Sequence, residues 1–379
     1  MSELRVEQEH RVAPVELLFD LVFVFAFTQV TTLFLDDPTW HGLGRGLLVL
    51  AVLWWTWATY AWLTNTVDAD QDLVIAVVLV ALAAMFVAAL AVPEAFGRHR
   101  TIFGAALAIV LAMDVALFAV VAKGDSDLLA AVGRFARSSM VGAALILGAA
   151  FVPAGLRPVL WLTALVVGFF GPLLGGMSGW RVHPAHFAER HSLIVIIALG
   201  ESLVALGFGA RAAGLGAGVI VAAVLGVAIA ASFWLAYFDF FSGGALQLLS
   251  NRSGVQRTAV ARDVYSYLHL PMIAGIVLLA FGLRTTLAHV NAELDWIPAV
   301  ALCGGSALYL FAYVAIRLRI AGSLSRGRSV ATVAFVLLLP AAVAVSALVA
   351  LALVAAVWLT LHAYELIGWR EQRAQRRAR

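Results

Sequence analysis

Glu16 and Asp20 stand four residues apart in an apolar stretch, one helical turn, so both carboxylates share a face. Acids inside a hydrophobic helix are costly to hold and point to a functional or ion-paired set with a partner elsewhere. An arginine from another segment suits that part, and Arg134 or Arg190 is a reasonable donor. Two chemistries are open to the pair. One is a cation- or proton-binding site near the membrane surface; the other is an ion-pair cluster that locks helix ends. Glu16 lies in the first turn of that helix, where the helix dipole favours negative charge.

Glu201 is the sharper case. It lies about ten residues into another apolar run, roughly 15 Å along it at the rise of an α-helix, and Ser202 follows it. Burial there disfavours the ionised form unless a cation or hydrogen bonds oppose it. A neutral acid at that depth can load and release a proton; the plainer reading is a hydrogen-bonded packing group beside Gly200 and Gly207. Glu189, Arg190 and His191 open the same run, and His269 follows Tyr265 and Tyr267 just ahead of Pro271. Both imidazoles can titrate near neutral pH or ligate a metal. No short-spaced His, Asp and Glu set supports a metal site, because His183 and His186 flank Pro184 in an expected loop. Asp114 and Asp239 stand as counter-ions to Arg or His elsewhere. The expected substrate or proton pathway is therefore drawn from Glu16, Asp20, Gln29, Asp114, Glu189, Arg190, His191, Glu201, Ser202, Asp239, Tyr265 and His269. Arg134 and Arg137 are expected to serve in structural ion pairing.

Several chemistries lack their residues. Cys303 is the single cysteine, which excludes an internal disulfide framework and cysteine-held metal clusters. Lys123 is the single lysine, so no late span carries the lysine that a retinal protein needs. The glycine runs of 207–218 have no lysine to form a phosphate loop, and no nucleophile elbow is present. No cofactor, catalytic residue or nucleic-acid partner is expected. Trp54, Trp55, Trp57, Tyr60 and Trp62 fit interfacial anchoring or packing.

These residues must be positioned by helices in lipid. Hydrophobic residues make up 63% of the 379 and charged ones 12%, against about a quarter charged in soluble proteins. Runs of about 20 apolar residues recur along the chain, each long enough to cross a hydrocarbon core of about 30 Å as a helix. Backbone hydrogen bonds must close within each run, which selects helices. The expected fold is an all-α polytopic transmembrane bundle of about 12 spans, with the lipid bilayer and a small solute or ion as partners. The spans run near 15–35, 42–63, 73–93, 101–122, 137–152, 157–177, 191–208, 215–240, 266–287, 297–316, 330–345 and 347–367. The last two are separated only by Pro340 and Ser346, so a single kinked helix is the competing expectation. The longest polar connections are Ala122–Arg137 and Phe241–Tyr265. The polar first 14 residues do not read as a cleavable signal peptide.

Loop charge sets the orientation. With twelve spans, 19 of the 25 basic residues fall on the side of both termini and 6 on the other. Positive charge stays in the cytoplasm, so both ends are expected inside, in a bacterial cytoplasmic membrane. The basic tail REQRAQRRAR suits anionic headgroups.

The chain also resembles itself. VELLFDLVFVFAFTQV at Val15–Val30 is similar to AERHSLIVIIALGESLV at Ala188–Val204, placing Glu16 on Glu189, Thr28 on Glu201 and Gln29 on Ser202. Trp57 and Tyr60 match Trp234 and Tyr237, and Arg134 matches Arg328. Two parallel six-span halves follow, 1–177 and 178–379, an arrangement that often frames transporter sites. Four stretches, PVELLFDLVFVFAFTQV, WWTWATYAWLTN (Trp54–Asn65), FAERHSLIVIIALGES (Phe187–Ser202) and YSYLHLPMIAGIVLLAFGL (Tyr265–Leu283), make the chain resemble the bacterial low temperature requirement protein A family. That resemblance implies a membrane-embedded protein associated with growth in the cold, and carries over no substrate or catalytic residue. Phe19–Asp20 is also similar, without its serine, to the Phe-Ser-Asp motif of a six-plus-six-span potassium channel family, which implies cation conduction. The functional expectation is a transporter, with a proton as its coupling ion; a cation channel or a non-transporting cold-adaptation factor are the alternatives.

Overall fold

Each apolar run becomes a helix, because lipid offers its backbone no other hydrogen-bond partner. The structure, a computed structural model, describes residues 12–67, 69–239 and 241–377, with side chains to 368. The polar lead before residue 12 and the side chains of the basic tail lie outside that range. The first six long helices are α1 (Pro14–Asp36), α2 (Trp40–Thr66), α3 (Asp72–Ala91), α4 (Arg100–Val121), α5 (Ser126–Gly148) and α6 (Arg157–Gly175). Then come α7 (Pro184–Ala213), α8 (Ala217–Phe238), the short α9 (Ser242–Ser250) and α10 (Gly254–Val260), which continues through a π-helical turn, Ala261–Tyr267, into α11 (His269–Ala288). A short α12 (Trp296–Ala299) runs through a second π turn into α13 (Gly305–Ala321), followed by α14 (Arg326–Ala342) and α15 (Ala347–Arg377). Among the described residues no strand forms; Glu293 and Ser346 make an isolated antiparallel bridge.

Among the described residues, eleven helices are long and apolar enough to cross a membrane by length and composition. A further one, α14, has 17 residues and rises about 26 Å, at the short end of the range that spans a bilayer. Segment 330–367 is thus two helices. Pro340 is carried inside α14, and the break comes after it. There Ala347 donates to Ala292 O at 2.7 Å and Leu348 to Val290 O at 3.0 Å, so the turn's freed backbone is satisfied by the facing loop.

Three helix starts lie well before the expected ones. The expected fifth span starts at 137, the seventh at 191 and the ninth at 266, yet their helices begin at Ser126, Pro184 and Gly254. Hydropathy reports only the apolar part of a helix, while the backbone ladder continues through polar residues that have a cap. Asp125 caps α5 by accepting from Leu128 N at 3.0 Å. Pro184 opens α7, where its missing N–H is no loss. The expected polar connection at 241–265 is itself largely helical.

The chain divides into two compact units. One takes residues up to Val30, Arg45–Ile197 and Phe241–Tyr267; the other takes Thr31–Gly44, Ala198–Phe240 and Leu268 onward. These are units of packing, whereas the expected halves at 177/178 are a matter of sequence likeness, which packing does not decide.

Glycine sets the close approaches in the second unit. A Cβ on Gly275 of α11 would sit 2.6 Å from the Gly305 carbonyl, and one on Gly305 would sit 2.7 Å from the Gly275 carbonyl. Small residues let helix backbones meet where lipid gives no hydrophobic drive between helices. Gly275→Ala is expected to lower stability by about 1–3 kcal/mol through overpacking against backbone that cannot give way. Gly200→Ala, with nothing within 4 Å of its added Cβ, is the control. Equal unfolding temperatures for the two purified variants in detergent would refute the seam.

Candidate functional site

The acids of α1 are buried in the first unit with partners from two other helices. Glu16, Asp20, Arg190 and His186 are 1%, 0%, 1% and 3% exposed. Arg190 lies between the two carboxylates: Nη1 donates to Glu16 Oε1 at 3.0 Å and Nη2 to Asp20 Oδ1 at 2.5 Å. Nη1 also donates to Thr64 Oγ1 of α2 at 2.5 Å. Trp57 donates its indole N–H to Asp20 Oδ1 at 2.8 Å, and its ring lies 5.7 Å from the guanidinium carbon. Both acids come from one face of α1 by their four-residue spacing. Arg190 and His186 share a face of α7 for the same reason, and only the start of α7 at Pro184 gives His186 that register.

Glu16 is fully engaged. Its Oε2 accepts from the main-chain N–H of Ala13 at 2.8 Å and contacts His186 Nε2 at 2.9 Å. Asn65 decides which imidazole nitrogen carries hydrogen. Its Oδ1 accepts from His183 N at 2.9 Å and its Nδ2 donates to His183 O at 3.0 Å, which fixes the amide. The same Nδ2 faces His186 Nδ1 at 3.1 Å, so Nδ1 accepts and the ring's hydrogen is on Nε2, donated to Glu16. The cluster holds two carboxylates and one guanidinium. Among the described residues, Asp20 Oδ2 and Arg190 Nε have no hydrogen-bond partner.

His191 lies beside this cluster, inside a ring cage. Trp57, Tyr265 and Phe187 have centroids 4.9, 5.0 and 4.5 Å from its ring, and its Nδ1 donates to Phe187 O at 2.8 Å. The π turn that carries Tyr265 also supplies acceptors to α2. Trp54 donates to Ser266 O at 2.7 Å and Trp62 to Ser266 Oγ at 2.8 Å. Short π segments recur at functional sites because they re-aim side chains.

The other expected residues are placed elsewhere. Asp114 is fully buried on α4, beside Thr59, with neither carboxylate oxygen in a hydrogen bond. Gln29 is half-buried on α1. Glu201 and Ser202, buried on α7, belong to the second unit, as does His269, whose Nε2 meets Tyr237 OH at 3.0 Å. Glu189 and Asp239 are exposed, the first because it sits one residue off the face that carries Arg190. Among the described residues, Arg134 and Arg137 form none of the expected ion pairs. Arg134 donates to Ser178 O at 2.6 Å and Arg137 to Gly133 O at 3.1 Å, since main-chain carbonyls are the acceptors beside them.

Sequence reading missed His186, Thr64 and Asn65 as parts of the cluster, and it gave Trp57 a packing role. The four-residue spacing of His186 and Arg190 was the available signal, lost when His186 was assigned to a loop. It also missed a second ion pair, Arg328 Nε to Glu365 Oε1 at 2.8 Å, with His362 near Glu365 and Tyr313 under the guanidinium.

Apolar helices that close their own backbones, with an ion-paired cluster sealed among three of them, define a polytopic α-helical integral membrane protein. The chain matches the bacterial low temperature requirement A protein family (LtrA) over residues 11–363 and belongs to it. It is similar to an uncharacterized protein of Rhizobium meliloti (strain 1021), 30% identical over 308 residues that cover 78% of this chain and 74% of that one. No solved structure matches.

Proposed function

We propose that this protein is a proton-coupled transporter of a small solute or lipid, and that Asp20 carries the proton. The observation behind this reading is the charge inventory of the cluster. Glu16 and Asp20 face one fixed cation, Arg190, and a histidine whose Nδ1 accepts from Asn65. One proton restores neutrality in a medium where net charge is expensive. Glu16 has no oxygen left for it. Asp20 does: Oδ1 takes the bonds from Arg190 and Trp57, and Oδ2 is unpartnered. A purely structural lock of helix ends needs no spare acid.

A six-plus-six repeat also supports the transport reading. The second and sixth spans meet through Trp55 and Phe169 at 4.5 Å, and the eighth and twelfth through Phe233 and Trp358 at 4.7 Å. Tyr60 ties the second span to the fourth at Val110 O, 3.0 Å, and Tyr309 ties the tenth to the eighth at Phe233 O, 2.8 Å. Parallel repeats of this kind are a transporter architecture. In this reading the protein resides in the bacterial cytoplasmic membrane with both termini in the cytoplasm, as loop charge indicates, and it catalyses no covalent step.

The test is reconstitution of the purified full chain in liposomes holding a pH-sensitive dye. A panel of amino acids, organic acids, polyamines and sugars is added under an imposed pH gradient. Saturable dissipation by at least one solute is expected. Selective ion conductance with no solute-dependent proton movement would replace the transporter with a channel.

A further inference from the structure

The first unit contains a cavity of about 560 Å³, its open mouth included, whose chemistry the charge cluster does not use. Its walls are aromatic: Trp55, Trp62, Phe118, Phe135 and Trp180. Two arginines line it, and they differ. Arg262 is matched by Asp263, with Nε and Nη2 at 2.8 and 2.7 Å from Oδ1. Arg134 has only neutral acceptors, Ser178 O at 2.6 Å and Ser178 Oγ at 3.3 Å, while its Nε is buried with no partner. A buried guanidinium calls for an anion, and the described residues offer Arg134 none.

The neighbouring helix shows why. A Cβ on Gly175 of α6 would lie 3.4 Å from Arg134 Cβ and 3.5 Å from its Cδ, so the arginine stem lies along a residue with no side chain to give. Arg328, which aligns with Arg134 in the internal repeat, receives Glu365 from its own chain at 2.8 Å.

We infer that the cavity binds an amphipathic oxyanion, with its carboxylate or phosphate head on Arg134 and its apolar body between the aromatic rings. Arginine suits such heads through its paired, fixed donors. The ligand is either an acyl lipid from the bilayer or a soluble organic acid. The inference rests on Arg134 and the cavity alone, so it stands or falls separately from proton transport by Asp20.

The experiment uses the purified full chain in maltoside detergent, with tryptophan fluorescence and thermal shift as readouts. The probes are dodecanoate, dodecyl phosphate, 2-naphthoate and, as the uncharged control, dodecanol. Saturable binding of the anions and not of dodecanol is expected. Arg134→Gln should weaken binding by about tenfold or more through loss of charge-assisted hydrogen bonds. Arg137→Gln, exposed one turn away, should leave binding intact. Ala131→Phe, which fills the cavity and keeps Arg134, should block it, and serves as the test if Arg134→Gln does not fold. Binding of 2-naphthoate supports a soluble acid, and binding confined to the long-chain anions supports a bilayer lipid. Equal binding of dodecanol, or wild-type affinity in both Arg134→Gln and Ala131→Phe, would overturn the inference.

Discussion

Arg190→Met is expected to destabilise the protein by about 3–5 kcal/mol, because it leaves Glu16 and Asp20 buried without their cation. Thr64 would lose its donor as well, and Trp57 alone would remain on Asp20. The triple variant Glu16→Gln, Asp20→Asn, Arg190→Met tests whether the loss is electrostatic. It removes every formal charge of the set at nearly constant volume, and replacing a whole buried ion pair by neutral groups is often close to neutral in stability. An amide at position 16 can still accept from His186 and from Ala13, and one at position 20 can still accept from Trp57. The triple should therefore regain most of what the single loses. Thermal unfolding of the purified proteins in one detergent measures both. A single variant as stable as the triple would show that the three charges do not act as a unit, and the charge inventory behind the proton site would fall with it.

For Asp20→Asn the expected loss is in coupling, not in the fold. The amide oxygen keeps the bonds from Arg190 and Trp57, while position 20 can no longer exchange a proton. Glu16 and Arg190 then balance one against one, as the protonated wild-type cluster does. Coupling between two sites amounts to about 1–3 kcal/mol, or 5–150-fold in affinity. In the wild type, solute affinity measured at two pH values should differ on that scale; in Asp20→Asn the difference should vanish. Accumulation driven by a pH gradient should fall to the level of empty liposomes, with exchange of solute for solute retained. An Asp20→Asn protein that still accumulates solute against a gradient would place the proton elsewhere. His186→Gln is the companion: an amide can donate to Glu16 as the imidazole does, so pH dependence should survive it.

Asp20 and Glu16 were legible as a pair because α-helical spacing is local and the apolar stretch around them is unmistakable. Arg190 was legible only as one of two candidate partners, with Arg134 the other, since few cations lie within apolar runs. His186, Asn65 and Thr64 were not, because their meeting depends on where α7 begins, and a cap at Pro184 leaves no mark in a hydropathy profile. Arg134 was assigned an ion pair because an arginine at a helix entrance ordinarily finds one; the glycine opposite it, remote in sequence, is what denies it. The pairing of Arg328 with Glu365 escaped notice because 37 residues separate them.

Membrane insertion and helical backbone follow from composition and run length alone, since they depend on transfer of each segment from water to lipid, a sum over neighbours in the chain. The charge cluster, the hydrogen-bonded orientation of His186, the unpartnered oxygen of Asp20 and the cavity beside Arg134 arise only when distant helices pack. Each is fixed by distances of about 3 Å between residues far apart in sequence, where hydrogen bonds are either made or lost, and no local pattern encodes which of those encounters occurs.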